Sequence, residues 1–217
     1  MVTGAGGSIG SELCRQIVKH QPKLLVLFEM SEFALYSIDR ELQNSGIQVV
    51  PVLGSVTNQA KLERIIAEYQ IQTVYHAAAY KHVPLMESNP SQAVFVNVLG
   101  TKVVADLAEA FQAESFVMIS TDKAVNPSNV MGASKRIAEK YVQSLFYKDK
   151  KEGGLGTKFI TTRFGNVLGS NGSVVPLFTK QIATGGPVTI THQDIIRYFM
   201  TIPEACQLVL EAGAMGN

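Results

Sequence analysis

The sequence predicts an α/β protein: a doubly wound parallel sheet with helices on both faces and a small, partial second lobe from about Asn166. Three observations carry that prediction. A glycine-rich turn, Thr3-Gly4-Ala5-Gly6-Gly7-Ser8-Ile9-Gly10, follows a stub of strand and opens a helix. Short apolar runs then alternate with amphipathic stretches of helix length, the pattern of right-handed crossovers between parallel strands. Finally, an apolar run from Ser115 to Ile119 delivers Ser120-Thr121-Asp122-Lys123 at its end, and open parallel sheets take their ligands outside the carboxyl ends of their strands.

The elements follow in order. After the turn, Leu13, Ile17 and Val18 mark the apolar face of the first helix. Gly4, Gly7 and Gly10 permit the tight bend, a close approach of backbone to a pyrophosphate, and close helix-to-strand packing. Leu24 to Phe28 is the second strand, and Glu29 at its end lies 19 residues beyond Gly10. A carboxylate there can accept hydrogen bonds from an adenosine ribose and repel a 2'-phosphate, which favours NAD over NADP; alternatively Glu29 opens the next helix beside Ser31 and Glu32. Ser31 to Asn44 reads as helix, Val49 to Leu53 as strand, and Thr57 as the cap of a helix through Tyr69. Thr73 to His76 is the fourth strand. Ala77, Ala78 and Ala79 follow it, small enough to let a flat nicotinamide or ribose lie near the backbone, or simply to pack tightly. Lys81, on the loop Tyr80-Lys81-His82, is a candidate for a substrate phosphate or a solvating charge. Pro90 opens a long helix to about Phe111, which leads to the strand carrying the reactive cluster.

A helix begins near Val130, carries Met131-Gly132-Ala133-Ser134-Lys135 and runs to about Tyr147; residues 149–154 read as a polar turn. Phe159 to Thr162 is a strand ending at Arg163, and Phe164 to Gly172 a loop. Val174 to Ala183 reads as helix, Val188 to Thr191 as a short strand, and Pro203 to Ala212 as the last helix. Arg163, Asn166 and Arg197 lie at ends of elements, where guanidinium groups can clamp a diphosphate or form structural salt bridges. Asp122 and Lys123 can work as an acid and base once their pKa values are driven apart.

Composition narrows the function. The chain has 217 residues, 46% hydrophobic and 17% charged, with net charge +1 and dispersed basic residues, so nothing calls for nucleic acid or an anionic membrane as partner. Cys14 and Cys206 sit in amphipathic helical patterns, which suits a reducing compartment. His20, His76, His82 and His192 are too scattered for a metal site, and no metal is expected. No apolar run is long enough to span a bilayer and the N-terminus lacks a signal-peptide pattern, so a cytoplasmic location is expected.

The Thr-Gly-x-x-Gly-x-x-Gly loop, the strand ending in Ser120-Thr121-Asp122-Lys123 and the downstream Lys135 resemble the extended short-chain dehydrogenase/reductase superfamily, a Rossmann type. Within it, residues 80–87, residues 165–174 and Arg197-Tyr198-Phe199-Met200 resemble the bacterial polysaccharide-biosynthesis UDP-N-acetylglucosamine 4,6-dehydratases. That resemblance implies an NAD-binding domain over 1–165 and the start of a sugar-nucleotide lobe over 166–217. It implies a lyase acting on a UDP-sugar, in a homo-oligomer. Thr3, Gly4, Gly7, Ser8, Ile9, Gly10, Glu29, Ala77, Ala78, Ala79 and Lys135 would bind NAD, with Lys135 on the nicotinamide ribose. Thr121, Asp122, Lys123 and Lys135 would serve catalysis, Lys123 as C5 base and Asp122 as the acid for the C6 hydroxyl. Lys81, Arg163, Asn166 and Arg197 would meet the substrate. Met131 stands where the superfamily keeps a proton-transferring tyrosine. It resembles a subgroup, typically large and membrane-anchored, that carries Met there, and it leaves the deprotonation of the C4 hydroxyl to Asp122 or a relay through Thr121. Family members extend beyond both ends of this chain, so the resemblance implies a fragment, the cytoplasmic part of such a protein being one reading. Two rival readings are a sugar-nucleotide epimerase and an NAD-binding module without chemistry.

Overall fold

The computed structural model describes residues 1–151, 153, 156–170, 172, 174–190, 192–194 and 196–215, apart from the side chain of Asp149. Strands β1 (Val2–Thr3), β2 (Leu24–Glu29), β3 (Gln48–Leu53), β4 (Thr73–His76), β5 (Ser115–Thr121) and β6 (Lys158–Phe164) form one sheet in the order β3-β2-β1-β4-β5-β6. Every pairing is parallel. The order reverses between β1 and β4, and that reversal opens a crevice at the carboxyl edge.

Helices cover both faces because the strands are apolar on both. β2 and β5 are buried nearly throughout, as strands sandwiched between helical layers must be. One layer holds α1 (Ser8–Lys19), α2 (Glu32–Leu42) and α9 (Ile202–Met215), whose Leu13, Leu35, Ile38, Cys206 and Val209 meet the sheet. The other holds α3 (Gln59–Tyr69), α6 (Thr101–Ala110) and α7 (Val130–Lys151), which contribute Leu62, Ile66, Val104, Ala138 and Val142. Between β4 and α6 run α4 (Val83–Ser88), α5 (Pro90–Ala93) and a π-helical stretch, Val94–Gly100, continuous with α6. A three-residue 3₁₀ turn, Asp122–Ala124, follows β5. Past β6, β7 (Asn166–Val167) pairs with β8 (Phe199–Met200), and α8 (Val174–Ala183) lies between them in sequence.

Several expectations need correction. Asn58 caps α3, its side chain accepting from Lys61 N at 3.1 Å, and Thr57 does not. Helix α7 continues through Lys151, so the turn read over 149–154 starts later; Glu152 and Gly154 lie outside the described residues. Residues 188–190 are not strand, and Thr191 lies outside the described residues. The small sheet instead joins Asn166–Val167, read as loop, to Phe199–Met200. Two-residue strands are too short for an alternating pattern to register. Of the residues expected in the second unit over 166–217, those of α9 return to α1 and bury Cys206 and Val209 against Leu13, Val117 and Ile119. We propose the substrate lobe for residues 166–200 alone.

Candidate active site

The glycine turn is shaped by contacts that exclude side chains. Gly4 has φ +67, and a Cβ there would stand 2.7 Å from Ala78 N; a Cβ at Gly10 would come within 1.9 Å of Gly4 O. Gly6, which the spacing argument passed over, is equally constrained: a Cβ there would meet Ala34 Cβ of α2 at 2.5 Å. Gly7 is the N-cap of α1 and supplies no side-chain cap, so the helix begins with its backbone donors turned toward the crevice. Ser8 and Ile9 form its first turn. Ile9's side chain packs toward α9, which leaves its backbone as the group available to a ligand.

Glu29 is buried at the end of β2. Its Oε2 accepts from Gly6 N at 3.0 Å, and its Oε1 from Met30 N and Ser31 N, both at 2.9 Å. A carboxylate has about four acceptor positions, so one remains for a ribose hydroxyl. Gly4, Gly6, Gly7, Glu29, Ala77, Ala78 and Ala79 border a cleft of about 320 Å³. A larger hollow of about 480 Å³ lies between α7 and β6, beside Glu139 and Arg163 and away from the Asp122–Lys123 cluster.

A buried polar chain fixes the floor of the cleft. Thr101 Oγ1 donates to Asn97 O at 2.7 Å, so the 3.0 Å contact from His76 Nε2 makes that nitrogen the donor. His76 Nδ1 then accepts from Thr3 Oγ1 at 2.8 Å, and Thr3 Oγ1 accepts from Ala78 N at 3.4 Å. The hydroxyl of Thr3, expected to meet the cofactor, is committed to this chain, and the residue is fully buried. Desolvation, with Lys135 adding to it, pushes His76 down to about 3, so the imidazole is neutral. Asn97 continues the chain. Its Oδ1 accepts from Tyr80 N at 2.8 Å, and its Nδ2 donates to Tyr80 O at 3.0 Å and to Ser134 Oγ at 2.9 Å. The loop bearing Lys81 is thereby tied to the helix bearing Lys135. Lys81 is largely exposed, although partial desolvation of its ammonium lowers its pKa.

At the end of β5, Thr121 Oγ1 donates to Asp122 Oδ1 at 2.8 Å and Lys123 Nζ donates to the same oxygen at 3.0 Å. Burial raises the Asp122 pKa, but the bonds from Lys123 and Thr121 outweigh it and leave the carboxyl below its ordinary value. In the unliganded protein Asp122 is therefore an ionised acceptor, and a role as acid requires that it first take up a proton. Gly132 of α7 lets the turn come close, since a Cβ there would stand 2.4 Å from Lys123 O. Asn129 Oδ1 accepts from Gly132 N at 2.8 Å, and Glu87 Oε1 accepts from Val130 N at 2.7 Å. Glu87 thus reaches from α4 to satisfy the start of α7.

Met131 is buried among the apolar side chains of Met86, Ala93, Tyr80 and Val83. Lys135 is 6% exposed; burial lowers its pKa to about 8, partly offset by Glu139. Ser120 Oγ is buried without a well-formed hydrogen bond, although it lies beside the Glu139 carboxylate, which its proximity helps to keep ionised. The buried ammonium of Lys135 fits a polar ligand entering there. The glycine turn, Glu29 and Lys135 together fit a dinucleotide.

The residues expected to clamp a diphosphate do not converge. Arg163 faces α7, where its Nε and Nη2 donate to the two oxygens of Glu139 at 2.7 and 2.6 Å. In the unliganded protein it is a structural fork. Asn166 Nδ2 donates to Tyr198 O at 3.3 Å and holds the small sheet. Arg197 is half-buried next to Tyr198, and a Cβ at Gly165 would lie 3.2 Å from Tyr198 O and 3.5 Å from Asp122 Oδ2. Asn97, Ser134, Glu87 and Glu139 were missed, since each acts through a partner remote in sequence.

The sheet order and the placement of these residues define an extended short-chain dehydrogenase/reductase fold. The chain belongs to the polysaccharide biosynthesis protein family, whose pattern matches residues 1–217. It is 56% identical over its whole length to the capsular polysaccharide biosynthesis protein CapD of Staphylococcus aureus and covers 36% of that protein. Among solved structures it is similar to Pen from Bacillus thuringiensis, with 33% identity, a TM-score of 0.91, and coverage of 99% of this chain and 64% of that one. It is also similar to a double mutant of DesIV, a dTDP-glucose 4,6-dehydratase from Streptomyces venezuelae with NAD and DAU bound: 21% identity, TM-score 0.81, 98% of this chain and 71% of that one. That last likeness shows the fold alone. The chain spans little more than a third of the length of the curated polysaccharide-biosynthesis relatives it matches.

Proposed function

We propose that this chain carries the cofactor-binding and catalytic half of an NAD-dependent 4,6-dehydratase, a lyase that converts a UDP-N-acetylhexosamine to its 4-keto-6-deoxy derivative for surface polysaccharide synthesis. The reading rests on one observation: the Asp122–Lys123 pair, joined at 3.0 Å, stands at the carboxyl end of β5 with the buried Lys135 on the adjoining helix. Membership in the polysaccharide biosynthesis family and the likeness to a capsular polysaccharide protein support it.

NAD, when bound, supplies a reversible acceptor for the hydride of C4 and its donor to C6. The ionised Asp122 takes the C4 hydroxyl proton through Thr121, whose hydroxyl already donates to it at 2.8 Å. No tyrosine is then required. Once protonated, Asp122 is the acid that the C6 hydroxyl needs in order to leave as water. It also ceases to stabilise the Lys123 ammonium, so Lys123 can shed its proton to solvent and remove the C5 proton acidified by the 4-ketone. Lys123 later delivers to C5 a proton that has exchanged with solvent, and one water is lost overall. The ammonium of Lys135 would hold the nicotinamide ribose and favour the C4 oxyanion.

The test uses the full-length protein with UDP-N-acetylglucosamine. A product lighter by one water, carrying solvent deuterium at C5 when the reaction runs in heavy water, is expected. Lys123→Met should accumulate reduced cofactor on adding substrate and release no dehydrated sugar. A product of unchanged mass would replace this reading with epimerisation, and a Lys123→Met variant that dehydrates near the wild-type rate would remove Lys123 as base.

A further inference from the structure

Lys135 is the most buried cation of the site, and its surroundings must keep it charged. It is 6% exposed, and desolvation alone disfavours an ammonium. On β4, His76 is neutral and contributes no charge near neutral pH. At the end of β5, Asp122 and Lys123 cancel each other as a tight pair. On α7 itself, one turn on, stands Glu139, with its side chain 4% exposed. Glu139 is held from two sides: Arg163 of β6 grips it through both oxygens at 2.7 and 2.6 Å, and Arg136 donates to Oε2 at 3.1 Å.

We propose that Glu139 is the counter-charge of Lys135, a positioning residue for the cofactor site, and that Arg163 sets how much of that negative charge Lys135 receives. The inference rests on the cofactor reading above and deepens it. Helical spacing of four residues places Lys135 and Glu139 on one face, both with little exposure. The separation is wider than an ion pair, so Glu139 raises the stability of the charge without occupying the ammonium's donors, which remain for a ligand. Burial brings Lys135 down to about 8, within reach of neutral pH, and Glu139 is the group that opposes the fall. Arg163 has a double effect. Its fork fixes the carboxylate in place and keeps it ionised, while its own positive charge subtracts from the field at Lys135. The fork explains why an arginine at the end of β6 points toward a helix and away from the Asp122–Lys123 cluster.

Two substitutions should therefore move Lys135 in opposite directions, which a purely structural role would not do. Glu139→Gln removes the counter-charge and should lower the Lys135 pKa by about one pH unit, the low end of what a nearby opposite charge does. Arg163→Gln leaves Arg136 to keep Glu139 ionised, removes a positive charge and should raise it. The measurement is the ¹⁵N shift of the Lys135 ammonium against pH in the unliganded full-length protein, assigned by its loss in Lys135→Met. NAD affinity is titrated beside it. Wild-type affinity should decline as pH rises through about 8, earlier in Glu139→Gln and later in Arg163→Gln. If Glu139→Gln fails to fold, Arg163→Gln decides alone, an upward move supporting the proposal and an unmoved titration overturning it. Titration of Lys135 at the same pH in all folded variants, or a shift of the same sign in both, also overturns it. Wild-type protein that binds no NAD at any pH would sink the cofactor reading while the ammonium titration still judged the Glu139 assignment.

Discussion

Met131 occupies the place where the superfamily's tyrosine is expected, and its surroundings are those of a packing residue: Met86, Ala93, Tyr80 and Val83 close around it and leave it 4% exposed. Met131→Leu roughly conserves volume, a swap that usually costs less than about 1.5 kcal/mol. The proposed route for the C4 proton, through Thr121 to Asp122, makes no use of the sulfur. Thermal unfolding and turnover should both survive the change in the full-length protein, and loss of turnover in a folded, NAD-binding variant would show that the thioether has a part in the chemistry. Glu29 differs in kind, because three backbone amides already occupy its carboxylate. Its acidic character was readable from its distance to the glycine turn; its second duty, pinning Gly6 and the entry to α2, was not. The same holds for Arg163. A strand-end arginine can be read as an anion ligand or as half of a salt bridge, and only the fold shows Glu139 arriving from 24 residues earlier in the chain.

At the level of elements, the fold was legible wherever periodicity was long. Thr73–His76 and the start of α7 at Val130 agree with the expectation to the residue, since a buried strand flanked by polar residues and a helix after a proline-asparagine turn leave few alternatives. The stretch from Pro90 to Ala110 reads as one helix, and its apolar spacing hides the wider π turns of Val94–Gly100. That widening matters, because it sits where buried Asn97 bridges the Tyr80 loop and Ser134, and π turns are often found at functional sites. Asn97→Ala should remove the partner of the half-buried Tyr80 amide and carbonyl and one of the two bonds to the Ser134 hydroxyl. Each unsatisfied buried group costs about 1 to 3 kcal/mol, so a total loss of roughly 2 to 4 kcal/mol is expected once relaxation is allowed for. Urea unfolding measures it: a lower midpoint with an unchanged slope is the expected result, and a midpoint within about 0.5 kcal/mol of wild type would mean that water replaces the side chain.

Across the whole molecule, the two helical layers meet a sheet in which the buried His76 is stacked on Phe116 with ring centroids 5.7 Å apart. No sequence signal marked this histidine as the hub between the glycine turn and Asn97, because Thr3 is brought to it by the pairing of β1 beside β4 and Thr101 by the start of α6. Among the described residues no helix is long and apolar enough to cross a membrane. The hub has a consequence for the stability of the entire fold. His76 is held at about 3 in the native state against an ordinary value of 6.5. Below 6.5 the unfolded chain takes up a proton that the folded chain refuses, so stability falls as pH drops through 6.5 toward 3 and is fully present above 6.5. Between pH 7.5 and 5.0 this single group should remove about 2 kcal/mol. The buried amino group of Met1, lowered to about 5 from 8.0 by desolvation, acts in the same sense between those values in this chain, so the histidine must be isolated by comparison. His76→Asn should lose stability at pH 7.5, where the network is broken, yet show a shallower decline toward pH 5.0 than wild type. Equal declines in the two proteins would show that the imidazole is able to charge in place, and with it that the tautomer drawn here, Nε2–H donating to Thr101, is not locked.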